Sequence, residues 1–445
     1  MLTATQALII GLRGPFQELL LDDIARSADR VSEQVRVQEG AVGIVPSRPS
    51  MYASLVWLSL GAFAIGTETF MISGILPGMA LDLGVSVEAA GQLVTIFAFA
   101  YATGSPLIAV ATASLSRRNL LIGAMAVFAF SNLLAALAPG YAVLAFARVL
   151  LAIAAGTFMP ASASYASMTN APERRGRALA FVYSGMTISL VLGVPLGTLL
   201  ASRLNWRATF GGVAVLSFIT LAGIVAKLRP VPNPPAAGLA QRFAVAHRPD
   251  VLAILTLSML LTLGTFTVQT YLGAYLEAVF EVSPQGVAFC FFSFGVASAC
   301  GNALGGYAAD RWDTRRYLLV VLMVMASAFG SITGLAGFAP APWALVGVVF
   351  AILAWGVFGW SWPSVQQFRL LAVDAQLAPI TLSLNASAMY FGVALGAALG
   401  AATIRLSSLA MIGLTGAVCV LVAFVFLART GRSVSSPTQP EPPGS

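Results

Sequence analysis

Twelve long apolar runs, separated by short polar or charged turns, dominate the sequence of this 445-residue chain. They lie near residues 52–77, 89–112, 119–138, 142–168, 177–201, 207–227, 251–276, 287–309, 317–338, 343–367, 380–402 and 407–428. Each is close to the roughly 20 residues that a helix needs to cross a bilayer. Only 9% of residues are charged and 58% are hydrophobic, against roughly 25% charge in a soluble domain. The expected fold is an all-α membrane protein of twelve transmembrane helices.

The basic residues orient these helices. Arg117, Arg118, Arg174, Arg175, Arg177, Lys227, Arg229, Arg242, Arg248, Arg311, Arg315, Arg316, Arg369, Arg429 and Arg432 fall in turns on the side of the termini. Only Arg203, Arg207 and Arg405 fall in turns on the other side. Positive turns stay on the inside, so both termini are expected in the cytoplasm and the chain in a cell (inner or plasma) membrane. The net charge of +7 therefore reflects topology, not a nucleic-acid-binding face.

The two halves repeat each other with an offset of about two hundred residues. The turn Ser116-Arg117-Arg118 matches Asp313-Thr314-Arg315-Arg316. Gly156 to Pro160 in predicted helix 4 matches Gly359 to Pro363 in helix 10, and Gly193 to Gly197 in helix 5 matches Gly392 to Gly396 in helix 11. Three matches in register predict two pseudo-symmetric six-helix halves, 51–228 and 251–428, joined by a cytoplasmic linker, 229–250. A solute would sit near the midplane between halves that rock about it. Residues 429–445 read as a disordered tail. Residues 1–50 hold six of the seventeen acids and have no span-length apolar run. They are either a cytoplasmic extension or sequence ahead of a true start at Met51.

Several of these motifs resemble those of the major facilitator superfamily. Gly306…Asp310-Arg311…Arg315-Arg316 is similar to its cytoplasmic-loop signature. Gly193-Val194-Pro195-Leu196-Gly197 resembles the helix-5 motif of its drug:proton antiporter branch, and Arg148 with Gly156 the helix-4 motif. Gly74 to Pro77, Ala90 to Leu93, Pro172 to Ala178, Asn205 to Arg207 and Leu384 to Ser387 are similar to stretches of bacterial purine, nucleoside, sugar and chloramphenicol efflux permeases. The resemblance runs from about Met51 to Ala428. It implies export of a small organic solute by proton antiport with alternating access, in a monomer. A proton-coupled importer of the same fold is the second reading. The sequence departs from the family twice: Ala113 and Ser116 stand where the loop signature has Asp and Gly. The branch places a Glu at the position of Thr69; here Glu68 comes one residue earlier, about 100° around the helix.

The residues that could carry transport are few. Glu68 is the one acid well inside a predicted span, and a carboxyl at that depth must be paired, protonated or wetted. Its chemistry suits proton coupling; the competing reading is a structural hydrogen bond. Arg148, in helix 4, either pairs with Glu68 or an anionic solute, or snorkels to the surface. Gln269, Thr270 and Tyr271 in helix 7, Trp360, Trp362, Gln366 and Gln367 in helix 10, and Asn385 and Ser387 in helix 11 could wall a solute cavity or simply join helices. Arg117, Arg118, Gly306, Asp310, Arg311, Arg315 and Arg316 are candidates for a cytoplasmic gate, or only set topology. Asp310 is the preferred latch residue. Gly193, Pro195 and Gly197 allow close helix packing and a kink. Cys290, Cys300 and Cys419 all fall in spans and read as packing residues, with no metal site or cofactor expected. An intramembrane enzyme would need paired catalytic groups at depth. The single histidine, His247, lies in the linker, so none is expected.

Overall fold

The computed structural model describes residues 52–112, 114–231, 239–374 and 377–430. The extension 1–50, Ala113 and the tail from 431 lie outside the described residues. Twelve helices are long and apolar enough to cross a membrane. We number them α1 (Ser54–Leu83), α2 (Val87–Ala111), α3 (Arg117–Ala136), α4 (Tyr141–Thr169), α5 (Arg175–Arg203), α6 (Trp206–Lys227), α7 (Pro249–Phe280), α8 (Pro284–Arg311), α9 (Thr314–Ala336), α10 (Pro342–Val373), α11 (Ile380–Leu406) and α12 (Leu409–Thr430). No strand occurs among the described residues.

The apolar runs locate every span, but three helices are interrupted where the sequence predicts continuity. In α5 a π-helical turn occupies Ser189–Gly193. Pro195 follows two residues later and has no N–H to return to the Val191 carbonyl, so the wide turn falls where regular bonding already fails. α7 breaks between Gln269 and Leu272, and α10 between Gly359 and Trp362. Pro363 removes the N–H that would have reached the Gly359 carbonyl, which places the second break. α1 runs to Leu83 because Pro77 does not stop it; a solvated turn near a helix end bends around a missing bond more cheaply than it unwinds.

Close packing depends on glycines facing neighbouring backbones. A Cβ at Gly185 in α5 would collide with the Ser59 carbonyl of α1, and one at Gly193 with the Thr67 side chain. The second half repeats the arrangement: Gly392 of α11 lies against Thr262 of α7, and Gly396 against the Leu263 carbonyl. Gly197 packs on Met71 and Thr209. Gly185→Val should therefore cost about 1–3 kcal/mol, because backbone cannot move aside as a side chain can. A lowered melting temperature of the purified protein in detergent would register it.

The halves also meet each other, at the midplane and on the side away from the termini. Gly273 of α7 abuts Ser73 and Gly74 of α1, Gly91 of α2 receives the ring of Tyr271, and Gly295 of α8 lies on the Leu190 backbone of α5. On the terminal side, residues expected to form a plain linker include a short helix, Leu239–Ala246. Its Val245 joins a buried cluster with Val251 and Ile254 of α7, Leu370 of α10 and Ile380 of α11. Arg242 donates to the Ser383 hydroxyl at 3.0 Å, and Arg248 pairs with Asp250 at 3.0 Å and with Asp374 at 3.6 Å. The linker helix is thus fastened to the ends of α7, α10 and α11.

Candidate functional site

Glu68 and Arg148 form an ion pair in which both side chains are fully buried. α1 supplies the carboxylate and α4 the guanidinium. Arg148 Nη1 donates to Glu68 Oε1, and Nε donates to the Leu93 carbonyl of α2 at 3.2 Å. The guanidinium also lies over the Phe97 ring, 4.2 Å from its centroid, a cation–π contact. Arg148 therefore joins three helices and does not snorkel. Among the described residues, Glu68 Oε2 and Arg148 Nη2 are buried and have no hydrogen-bond partner. Two unmet polar atoms at one buried pair are costly, and such groups concentrate where a site must change state. The register shift from Thr69 has a plain outcome here. Thr69 spends its hydroxyl on the Ile65 carbonyl of its own helix at 2.8 Å, while Glu68 reaches across to α4.

Aromatic rings from both halves meet beside Phe97, which lies under the Arg148 guanidinium, and at Phe70 of α1. Tyr390 of α11 stacks on Tyr101 of α2, with centroids 3.6 Å apart and planes 16° from parallel. Tyr390 is also 6.3 Å from Phe97. Phe70 of α1, two residues past Glu68, meets Trp360 of α10 edge-on at 5.5 Å and Phe266 of α7 at 6.5 Å. Trp360 sits at the α10 break and is partly exposed. Tyr101, Tyr390 and Phe70 do not stand out in the sequence, because single aromatics are common in apolar spans. Only the crossing of α2 with α11, and of α1 with α10, gives them a joint role.

The other expected cavity residues separate into groups. Trp362 is buried, 2% exposed. Tyr271 is fully buried, and its hydroxyl donates to the Ala397 carbonyl at 2.9 Å. Gln366 is fully buried: its amide donates to the Ile254 carbonyl and the Ser258 hydroxyl, each at 3.1 Å. Gln269 and Asn385 are 3% exposed; the Asn385 amide reaches only the Met389 sulfur at 3.5 Å and its carbonyl oxygen has no partner. Ser387 and Thr270 are also buried.

Arg369 differs from its sequence assignment. Counted there among the turn arginines, it lies inside α10, which continues to Val373. It is 6% exposed and donates to the Gln366 carbonyl oxygen at 2.8 Å. The apolar run ends at 367 because the helix there faces other helices and polar groups, not lipid, so hydropathy underestimates its length.

The arginine turns have specific partners. Arg118 donates from Nε to the Leu228 carbonyl at 2.7 Å and from Nη2 to the Val225 carbonyl at 2.8 Å, at the end of α6. Arg315 donates to the Ala428 carbonyl at 2.9 Å, at the end of α12. Each half thus uses one turn arginine to satisfy the last carbonyls of its final helix, where positive charge also complements the dipole. Arg311 lies over Tyr307 at 4.7 Å and donates to its hydroxyl at 3.1 Å. Asp310 is exposed and pairs with no cation among the described residues. Asp313, three residues on, caps α9 by accepting from the Arg316 backbone N–H at 2.7 Å. Arg117 is half-buried and Arg316 exposed, while Gly306 has open space where a side chain would stand.

Twelve spans, paired halves and a buried ion pair inside the first half describe a multi-pass solute transporter, and comparison with known proteins gives its family. Residues 58–373 match the model of the Major Facilitator Superfamily, and the chain belongs to that superfamily. It is 33% identical over 380 residues to an uncharacterised MFS-type transporter, YbcL, of Bacillus subtilis, covering 83% of this chain and 93% of the relative. It is 31% identical to a chloramphenicol resistance protein of Streptomyces lividans, covering 86% of this chain and 98% of the relative. Among solved structures, an inward-facing, occupied bacterial homologue of the human lysosomal transporter Spinster superposes with a TM-score of 0.71 at 16% identity, covering 86% of this chain and 97% of that one. Among the described residues, no group of three or more His, Cys, Asp or Glu side chains could hold a metal ion.

Proposed function

We propose that this transporter exports a small organic solute across a cell (inner) membrane by proton antiport, with Glu68 as the proton-exchanging group and Arg148 as its counter-ion. One observation carries this reading: the buried pair keeps an unpartnered carboxylate oxygen and an unpartnered guanidinium nitrogen. A carboxylate and a guanidinium are costly to hold in an apolar interior, and charges at that depth mark sites that use them. A carboxyl that is held by Arg148 in one state and protonated in another can tie proton release to the movement of the halves.

The relatives support the outward direction. One is a chloramphenicol resistance protein and another a probable sugar efflux transporter of Helicobacter pylori, 25% identical over 372 residues. The excess of positive turns on the terminal side favours cytoplasmic termini, and on that reading the side where the halves meet is the outer one. The solute class is drug-like, purine or nucleoside, or sugar-like. The partly exposed Trp360 and Tyr390 offer it stacking faces, and Gln269 and Asn385 offer amides.

Export profiling in a host without its own pumps tests the reading. Cells carrying the gene should accumulate less of at least one compound from a panel of chloramphenicol, purine nucleosides and sugars. An uncoupler should restore accumulation to the level of cells without the gene. Export that survives collapse of the proton gradient contradicts antiport.

A further inference from the structure

We propose that Phe70, Phe266 and Trp360 form the subsite that holds the solute, that this subsite takes an uncharged solute carrying an aromatic ring, and that solute and proton bind opposite faces of one turn of α1. This rests on the export reading above and adds to it the solute class and the place of the solute relative to Glu68.

The faces of α1 follow from its contacts. Glu68 points to α4, where it meets Arg148. Phe70 comes two residues later in an unbroken helix, about 200° around the axis. That turn carries it to the second half: its ring centroid is 5.5 Å from that of Trp360 on α10 and 6.5 Å from that of Phe266 on α7. Ser73 and Gly74, three and four residues past Phe70 and so on the same face, lie against Gly273 of α7. Rings and backbone therefore define this face independently. Thr67 and Met71 turn to a third side, against Gly193 and Gly197 of α5.

Phe70, Phe266 and Trp360 each stand near the middle of a span, the depth at which a solute sits between two rocking halves. Phe70 is buried, 6% exposed. Phe266 and Trp360 stay partly exposed although both rings meet a helix of the opposite half. Ring surface left open at that depth, between the halves, is surface that a solute can cover. Trp360 occupies the α10 break, with its ring plane at 77° to that of Phe70, while Phe266 is tilted from Phe70 by 30°. Tilted and edge-on rings are the arrangement into which a further aromatic ring packs. Gln269, three residues past Phe266, puts an amide on the same face of α7 for a heteroatom of the solute. Glu68 and Arg148 are fully buried and hold each other, so they offer an ionised solute no counter-ion. A sugar would find ring surface but few of the hydrogen bonds that its hydroxyls require. The solute therefore does not compete with the proton for the Glu68 carboxylate. A solute pressing on Phe70 and a proton freeing Glu68 from Arg148 act on the same turn of α1 from opposite sides, and coupling runs through the position of that helix.

Equilibrium binding tests this without any gradient. Full-length protein in lipid nanodiscs, at one fixed pH, is titrated with radiolabelled chloramphenicol, adenosine and inosine as ring-bearing probes, and with glucose and xylose as ring-free ones. The parent should bind at least one of the first set more tightly than either sugar. Trp360→Ala and Phe266→Ala should each weaken that binding at least about tenfold, the scale of one lost ring contact. Both residues are partly exposed, so the variants should melt close to the parent, and Trp360→Tyr, which restores a ring, should recover most of the affinity. Glu68→Gln should bind within about threefold of the parent, and its effect should multiply with that of Trp360→Ala, as expected of separate contacts. Parent-like binding in Trp360→Ala and Phe266→Ala, failure of Trp360→Tyr to recover binding, or a parent that binds the sugars as well as the ring-bearing probes or binds none of the latter, overturns the subsite and its solute class. A Glu68→Gln loss as large as that of Trp360→Ala puts the carboxylate in contact with the solute and overturns the opposite-face placement. The antiport reading fails separately, by export that ignores an uncoupler, and that result leaves these affinities as they are.

Discussion

Glu68→Gln should abolish gradient-driven export while leaving the protein folded and in the membrane. The amide is nearly isosteric with the carboxyl and can still accept a hydrogen bond from Arg148 through its oxygen. It cannot take up and release a proton in any accessible pH range. The loss should be at least about tenfold in the solute gradient that cells maintain, equivalent to about 1.4 kcal/mol of lost coupling. Solute exchange down its own gradient should survive, because the halves can still rock. Quantitative blotting of membranes, beside uptake with and without a gradient, separates loss of coupling from loss of protein. A variant that pumps as well as the parent would leave Glu68 as a structural carboxyl and require another proton carrier.

Arg148→Leu should damage the protein more than any other single change at this site. It strands a fully buried carboxylate, removes the tie to the Leu93 carbonyl and empties the space over Phe97. Breaking a buried pair by deleting one member typically costs about 3–5 kcal/mol, most of it the penalty of the charge left behind. Low expression and a melting temperature well below the parent's are expected. Combining Glu68→Leu with Arg148→Leu removes both charges and should recover much of that loss, since apolar side chains of similar volume often replace a buried pair at little cost. The double variant should be stable and inactive. If stability fell by the sum of the two single losses, the pair would not be an energetic unit.

Much of this was legible in the sequence because a bilayer leaves few alternatives. A run of twenty apolar residues must be a helix, so all twelve spans are located, although α1 and α10 run on to Leu83 and Val373, past the ends of their apolar runs. The repeat was legible because glycines and turn arginines keep their register: Gly193 and Gly392 do face equivalent helices, α1 and α7. Glu68 and Arg148 were visible as the rare charges at depth. What hydropathy does not encode is which helix ends and ring faces become neighbours. Arg118 and Arg315 look like topology signals in the sequence; only the fold shows that α6 and α12 end within reach of their guanidiniums. Arg369 reads as a turn residue in the sequence because a buried polar stretch and a loop have the same composition. Asp310, the latch candidate by motif, stands on the surface, and only the fold shows that its neighbour Asp313 caps α9. The Tyr101–Tyr390 stack joins residues 289 positions apart in number and has no local signature at all.

Coupling of protons to solute movement through the Glu68–Arg148 pair can be measured directly. The most direct measurement reconstitutes parent and Glu68→Gln protein in liposomes, with the compound that export profiling selects. Two rates are compared in each: accumulation driven by an imposed pH gradient, and exchange of labelled for unlabelled solute without one. Glu68→Gln should keep exchange close to the parent rate and lose gradient-driven accumulation. Accumulation at the parent level in Glu68→Gln liposomes would contradict it.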